Sequence, residues 1–141
     1  MSTRAEVMVT GSEGGGSEKV YLDHHSDGYP SDMLPMFKRA FKKFGGKVGK
    51  SYRVGGWKAG RAGYVAGFLC AEDYGLIEPE DCDSAGNHGD LEFFYVLRVS
   101  STQHPDEHGV WALEVRAPDE NGAVILKPTP VQDLPNELRG E

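Results

Sequence analysis

A chain of 141 residues, 38% hydrophobic and 26% charged, can form one domain with a real core, and its composition is that of an ordinary globular protein. No stretch approaches the roughly 18 apolar residues of a membrane span, and the opening residues lack the apolar run of a secretory signal. Cys70 and Cys82 are too few for a disulfide framework, so a reduced, cytoplasmic protein is expected.

Two β-like alternations come first, "AEVMVT" (5–10) and "KVYLDHH" (19–25), joined by the glycine-rich "GSEGGGSE" as a hairpin loop. A turn follows at Asp27, Gly28, Tyr29 and Pro30. There an aspartate can bond amides ahead of it, glycine accepts positive φ, and the residue before proline is held extended. Tyr29–Pro30 is also a candidate cis bond. Residues 31–44 read as a helix capped by Ser31 or Asp32, with Phe37, Ala40, Phe41 and Phe44 as its buried stripe. Gly45 and Gly46 end it. A basic, glycine-rich connector leads to a second helix near 60–74, whose apolar face is Tyr64, Val65, Phe68 and Leu69. Beyond the acidic segment 77–90, three strands form a meander at 91–100, 110–117 and 123–128. Asn121-Gly122 marks the last hairpin. The pattern predicts an α+β fold, an antiparallel sheet of about five strands with two helices packed on one face. Residues 1–128 make a single domain, and 129–141 a C-terminal tail.

The net charge of −7 hides a sharp division. Between Met33 and Ala71 there are nine basic residues and no acid, while the rest of the chain holds 6 basic and 22 acidic residues, a balance of −16. The basic set is Lys38, Arg39, Lys42, Lys43, Lys47, Lys50, Arg53, Lys58 and Arg61. With Tyr52 and Trp57 interleaved, it is a candidate nucleic-acid or anion contact, since cations neutralise phosphates and aromatic rings stack on bases. The competing reading folds this segment against its own acidic flanks, and the acidic remainder would repel a polyanion over much of the surface. An acidic loop at 77–90 could equally meet a basic site on a protein partner.

"DHHSDGYPSD" (23–32) concentrates histidine and aspartate in one turn. The candidate catalytic residues are His25, Asp27 and Tyr29. Its "DHH" resembles the motif of the DHH phosphoesterases, which would imply two metal ions activating water. Successive strand residues point to opposite faces, so His24 and His25 cannot both serve one ion, whereas His25 and Asp27 could share a face. The reading therefore predicts a structural turn with no bound metal and no cofactor. "HPDEH" (104–108) falls in a proline-containing loop, not on a helix as a zinc pair would require. "GGKVGKS" (45–51) fails as a phosphate loop because Phe44 stands where the first glycine is required.

Thr3, Arg4, Tyr21, His25, Asp27, Gly28, Tyr29 and Pro30, together with "GDLEFFYVL" (89–97), carry a further likeness. Over the first third of the chain and that strand, the sequence resembles a group of small uncharacterised prokaryotic and phage-associated proteins with a His-x-Asp-Gly-Tyr-Pro turn. Ser26 stands where the group's pattern has tryptophan. The resemblance implies a mobile-element origin and no particular activity. The expected function is a non-enzymatic binding or regulatory protein acting on a protein or nucleoprotein partner. The alternative is a small metal-dependent hydrolase of phosphoester type centred on the turn.

Overall fold

The alternating segments become strands of one sheet, and the segments with helical spacing cover a single face of it. A computed structural model describes residues 4–11, 18–25, 27–45, 47–48, 51–52, 58, 60–73, 76–79, 91–101, 109–119 and 121–138. In chain order the strands are Arg4–Gly11 (β1), Glu18–His24 (β2), Lys47–Val48 (β3), Ser51–Tyr52 (β4), Ile77–Pro79 (β5), Leu91–Ser101 (β6), Gly109–Ala117 (β7) and Ala123–Pro130 (β8). The helices are Pro30–Ala40 (α1), extended by a π turn over Phe41–Gly45, and Ala62–Glu72 (α2).

The α+β class is as the sequence reads, but the sheet differs from the expected five antiparallel strands. Among the described residues it has six strands in the order β5-β2-β1-β6-β7-β8, and β1 runs parallel to β6. Alternation shows which side chains are buried and carries no information on which strand lies alongside. Here the chain crosses one face through both helices between β2 and β6, the kind of long connection that parallel neighbours need. β5 escaped notice for a second reason: three residues, "IEP", hold too little pattern to read as a strand. The basic connector, already excluded as a phosphate loop, contains a small ladder, Lys47↔Tyr52 and Val48↔Ser51.

Ala5, Val7 and Val9 of β1 line the main core with Leu22, Tyr95, Leu97, Trp111 and Leu113. Met33, Phe37 and Ala40 of α1 close over it beside Val65 and Leu69 of α2. Deleting a fully buried ring such as that of Phe37 costs about 3–5 kcal/mol. Phe41 meets Trp111 edge-on at 5.2 Å, and Phe44 stacks on Phe68 at 4.6 Å. Gly45 is fixed by this packing, because a Cβ there would come within 2.5 Å of Phe41 and 3.0 Å of Trp111. Tyr64, expected on the buried face of α2, is exposed, and Ala62 and Ala66 take that side. After β8 the chain wraps back, burying Val131 and Leu134 in the same core. On the opposite face of the sheet, Met8, Phe94 and Val96 form a smaller buried cluster with Tyr21. The cis peptide bond among the described residues is Ala117–Pro118 rather than Tyr29–Pro30.

Candidate functional site

β2 ends at His24 and His25 follows it directly, the two side chains turning to opposite sides of the sheet. His24 turns to the helix side and is 1% exposed. Its Nε2 donates to Asp73 Oδ2 over 2.5 Å, tying β2 to the residue that ends α2. The other ring nitrogen, Nδ1, is buried and has no hydrogen-bond partner among the described residues. His24 and Asp73 lie in a polar cleft of about 190 Å³, with Asp27, Ser31, Asp32 and Arg39 among its other walls. Pro35 adds to this wall, six residues into α1, where its ring offers no N–H to the Ser31 carbonyl four residues back. A histidine held by one carboxylate and surrounded by others can accept, store or pass a proton.

The turn explains how Asp27 reaches this cleft. Asp27 has φ 56°, the left-handed conformation that aspartate and asparagine tolerate better than most residues. That reversal carries it to the helix side with His24, not to the side of His25 as strand alternation would have it. The Gly28 carbonyl then accepts a 2.7 Å bond from the buried Tyr95 hydroxyl, anchoring the turn to β6. α1 begins at once, with Tyr29 as its N-cap and Pro30 as its first residue. Neither Ser31 nor Asp32 is the cap. The proline supplies helical φ two residues earlier than a polar cap would, and the Tyr29 carbonyl accepts from the amides of Asp32 and Met33, each at 2.9 Å. Tyr29 itself is partly exposed and meets Phe93 edge-on at 5.9 Å. His25, Asp27 and Tyr29, read from sequence as one constellation, therefore lie in three different surroundings.

His25 belongs to the side away from the helices, with Asp23 and Glu78. The register sets Glu6, Asp23 and Glu78 opposite one another on β1, β2 and β5, a row of carboxylates across three strands. His25 Nδ1 lies 3.4 Å from Asp23 Oδ2, and Nε2 lies 3.0 Å from Glu78 Oε1. Arg4 Nε faces the other Asp23 oxygen at 3.2 Å. Sequence reading places His24 on the face opposite His25 and leaves Asp73, Asp23 and Glu78 outside the candidate set. The alternation around His24 was the available signal for a buried histidine, but its partner lies 49 residues away.

Much of the basic segment is occupied by the protein's own groups. Arg39 and Lys43 both bond Glu72, at 3.1 and 2.7 Å, and Arg61 pairs with Glu18 at 3.5 Å. Lys38 donates to the Leu134 carbonyl and Asn136. Lys58 stands 5.4 Å above the Tyr64 ring, and Lys42 is exposed. Lys47 is described through its backbone in β3 alone. Lys50, Arg53 and Trp57 lie outside the described residues, as does "HPDEH". Burial pushes the Glu72 carboxyl up, but the bonds from Lys43 and Arg39 outweigh it and hold the group below the usual carboxylate range. Glu114 is held down in the same way by Arg98 and Arg116 against its own burial. Burial first, and the Glu78 charge second, push the Cys70 thiol up, which keeps it protonated and a poor nucleophile.

No helix among the described residues is long and apolar enough to cross a membrane. No family model, curated protein or solved structure matches this chain.

Proposed function

We propose that this is a non-enzymatic binding or regulatory protein, of phage or mobile-element origin, that acts in the cytoplasm on a protein or nucleoprotein partner. The observation that carries the reading is β8. Among the described residues it is an edge strand, and Ala123, Val124 and Ile125 stand exposed in succession at its start, the latter two at 50% and 43%. A bare edge with apolar side chains is a template for an added strand. Lys127, Pro128 and Pro130 protect the second half of the same strand, which leaves the first half for a partner. Nucleic acid is the weaker choice for that partner, because Arg39, Lys43 and Arg61 are already paired with acids. The test is native purification of the tagged chain beside a Val124→Lys/Ile125→Lys variant. A stoichiometric protein partner, lost from the variant while its melting temperature holds, is expected. Recovery of no partner, or of the same one in the same ratio from both, overturns the reading.

A phosphoester hydrolase at the turn is the second reading, favoured by the His24–Asp73 pair in a cleft with Asp27 and Asp32. It expects metal-dependent release of nitrophenol from a nitrophenyl phosphodiester, lost in His24→Gln. A rate equal to that of buffer removes it.

A further inference from the structure

The groups on the side of β2 away from the helices form a ligand set. Asp23 is buried, its side chain 5% exposed, and it is held by ion pairs with Arg4 and His25, with no hydrogen bond at Oδ1. Oδ1 faces Arg4 at 3.2 Å without a hydrogen bond, and Oδ2 stands 3.4 Å from His25 Nδ1, beyond ordinary hydrogen-bond length. A buried carboxylate is costly unless it is paired and hydrogen-bonded; Oδ1 has its pairing in Arg4 without the hydrogen bond, and a cation at Oδ2 would complete the compensation. Two atoms each about 2.1 Å from a tetrahedral ion are about 3.4 Å apart, which is the observed spacing of Asp23 Oδ2 and His25 Nδ1. Glu78 completes the set, since one ligand atom from each of Asp23, His25 and Glu78 lies within 4.8 Å of the other two. Glu78, 61% exposed, meets the other ring nitrogen, Nε2, at 3.0 Å, so binding the ion would exchange that contact for a metal bond. Arg4, by taking Oδ1, leaves Oδ2 to the ion, as the supporting groups of metal carboxylates do.

We propose that Asp23, His25 and Glu78 bind one divalent transition-metal ion, zinc by preference, which clips the edge strand β5 to β2. An imidazole with carboxylates suits zinc, whereas calcium takes six to eight oxygen ligands. The site lies at the opposite edge of the sheet from β8 and does not depend on the binding reading.

Calorimetric titration with zinc and with calcium tests this on the full chain. The comparison uses wild type, His25→Ala, Glu78→Gln and the combined variant His88→Ala/His104→Ala/His108→Ala. Both single changes alter solvent-exposed side chains, and circular dichroism verifies their folding. Wild type and the combined variant should each take up one equivalent of zinc, with a raised melting temperature. Affinity should fall by at least about tenfold in His25→Ala and in Glu78→Gln, and calcium should bind more weakly than zinc. The proposal is overturned by no zinc uptake in wild type, by undiminished affinity in either single variant, by loss of binding in the combined variant, or by a preference for calcium.

Discussion

His24 and His25 are adjacent in sequence and belong to different parts of the molecule. His24 is buried between β2 and the end of α2, bonded to one carboxylate at the inner wall of a polar cleft. His25 is 41% exposed and stands between two carboxylates drawn from two strands. They turn to opposite sides of the sheet, so chemistry assigned to a "DHH" string must be divided between two sites. The helix side joins secondary-structure elements and carries a cleft; the other side gathers ligands at a sheet edge.

The largest test of this contrast is stability. His24→Ala leaves a cavity and an abandoned Asp73, and should cost roughly 3 kcal/mol. His25→Ala should cost less than about 1 kcal/mol in metal-free buffer, since exposed ion pairs contribute little. Denaturant midpoints measure both, and equal losses would break the contrast. Tyr95→Phe comes next. It deprives the buried Gly28 carbonyl of its 2.7 Å donor and should cost about 1–2 kcal/mol in the same assay. No change would mean that the turn is not anchored through β6.

Asp27 sharpens the comparison, because its left-handed φ puts it on the helix side. Asp27→Val should destabilise by about 1–2 kcal/mol while Asp27→Gly should be neutral or slightly stabilising. Equal melting temperatures for the two variants would contradict a left-handed residue 27. The smallest effect concerns Glu72, whose bonds hold Arg39 at the rim of the His24 cleft. Its carboxyl is lowered in the folded state, so its contribution is complete above the ordinary carboxyl range. That contribution fades as pH falls through the folded value. Glu72→Gln should therefore flatten the acid limb of the stability profile, and an unchanged limb would rule the linkage out.

Local periodicity made most elements legible. Strands 91–100 and 110–117 and the helix begun by Tyr29–Pro30 each announce their period or their breaker within ten residues. The parallel β1–β6 pairing was not legible, because Val7 and Tyr95 alternate identically whichever way the strands run. The site was legible only in part. The turn drew attention to His25 and Asp27, yet Asp73 and Glu78 reach it through folding over some fifty residues of chain. The single positive φ at Asp27 then reversed which histidine it accompanies.

The division between the two histidines is tested most directly by diethyl pyrocarbonate modification of the native chain, read by peptide mass spectrometry. His25, 41% exposed, should be modified rapidly, and His24, 1% exposed, only after denaturation. Modification of His24 at a rate equal to or above that of His25 in the folded protein would contradict the account.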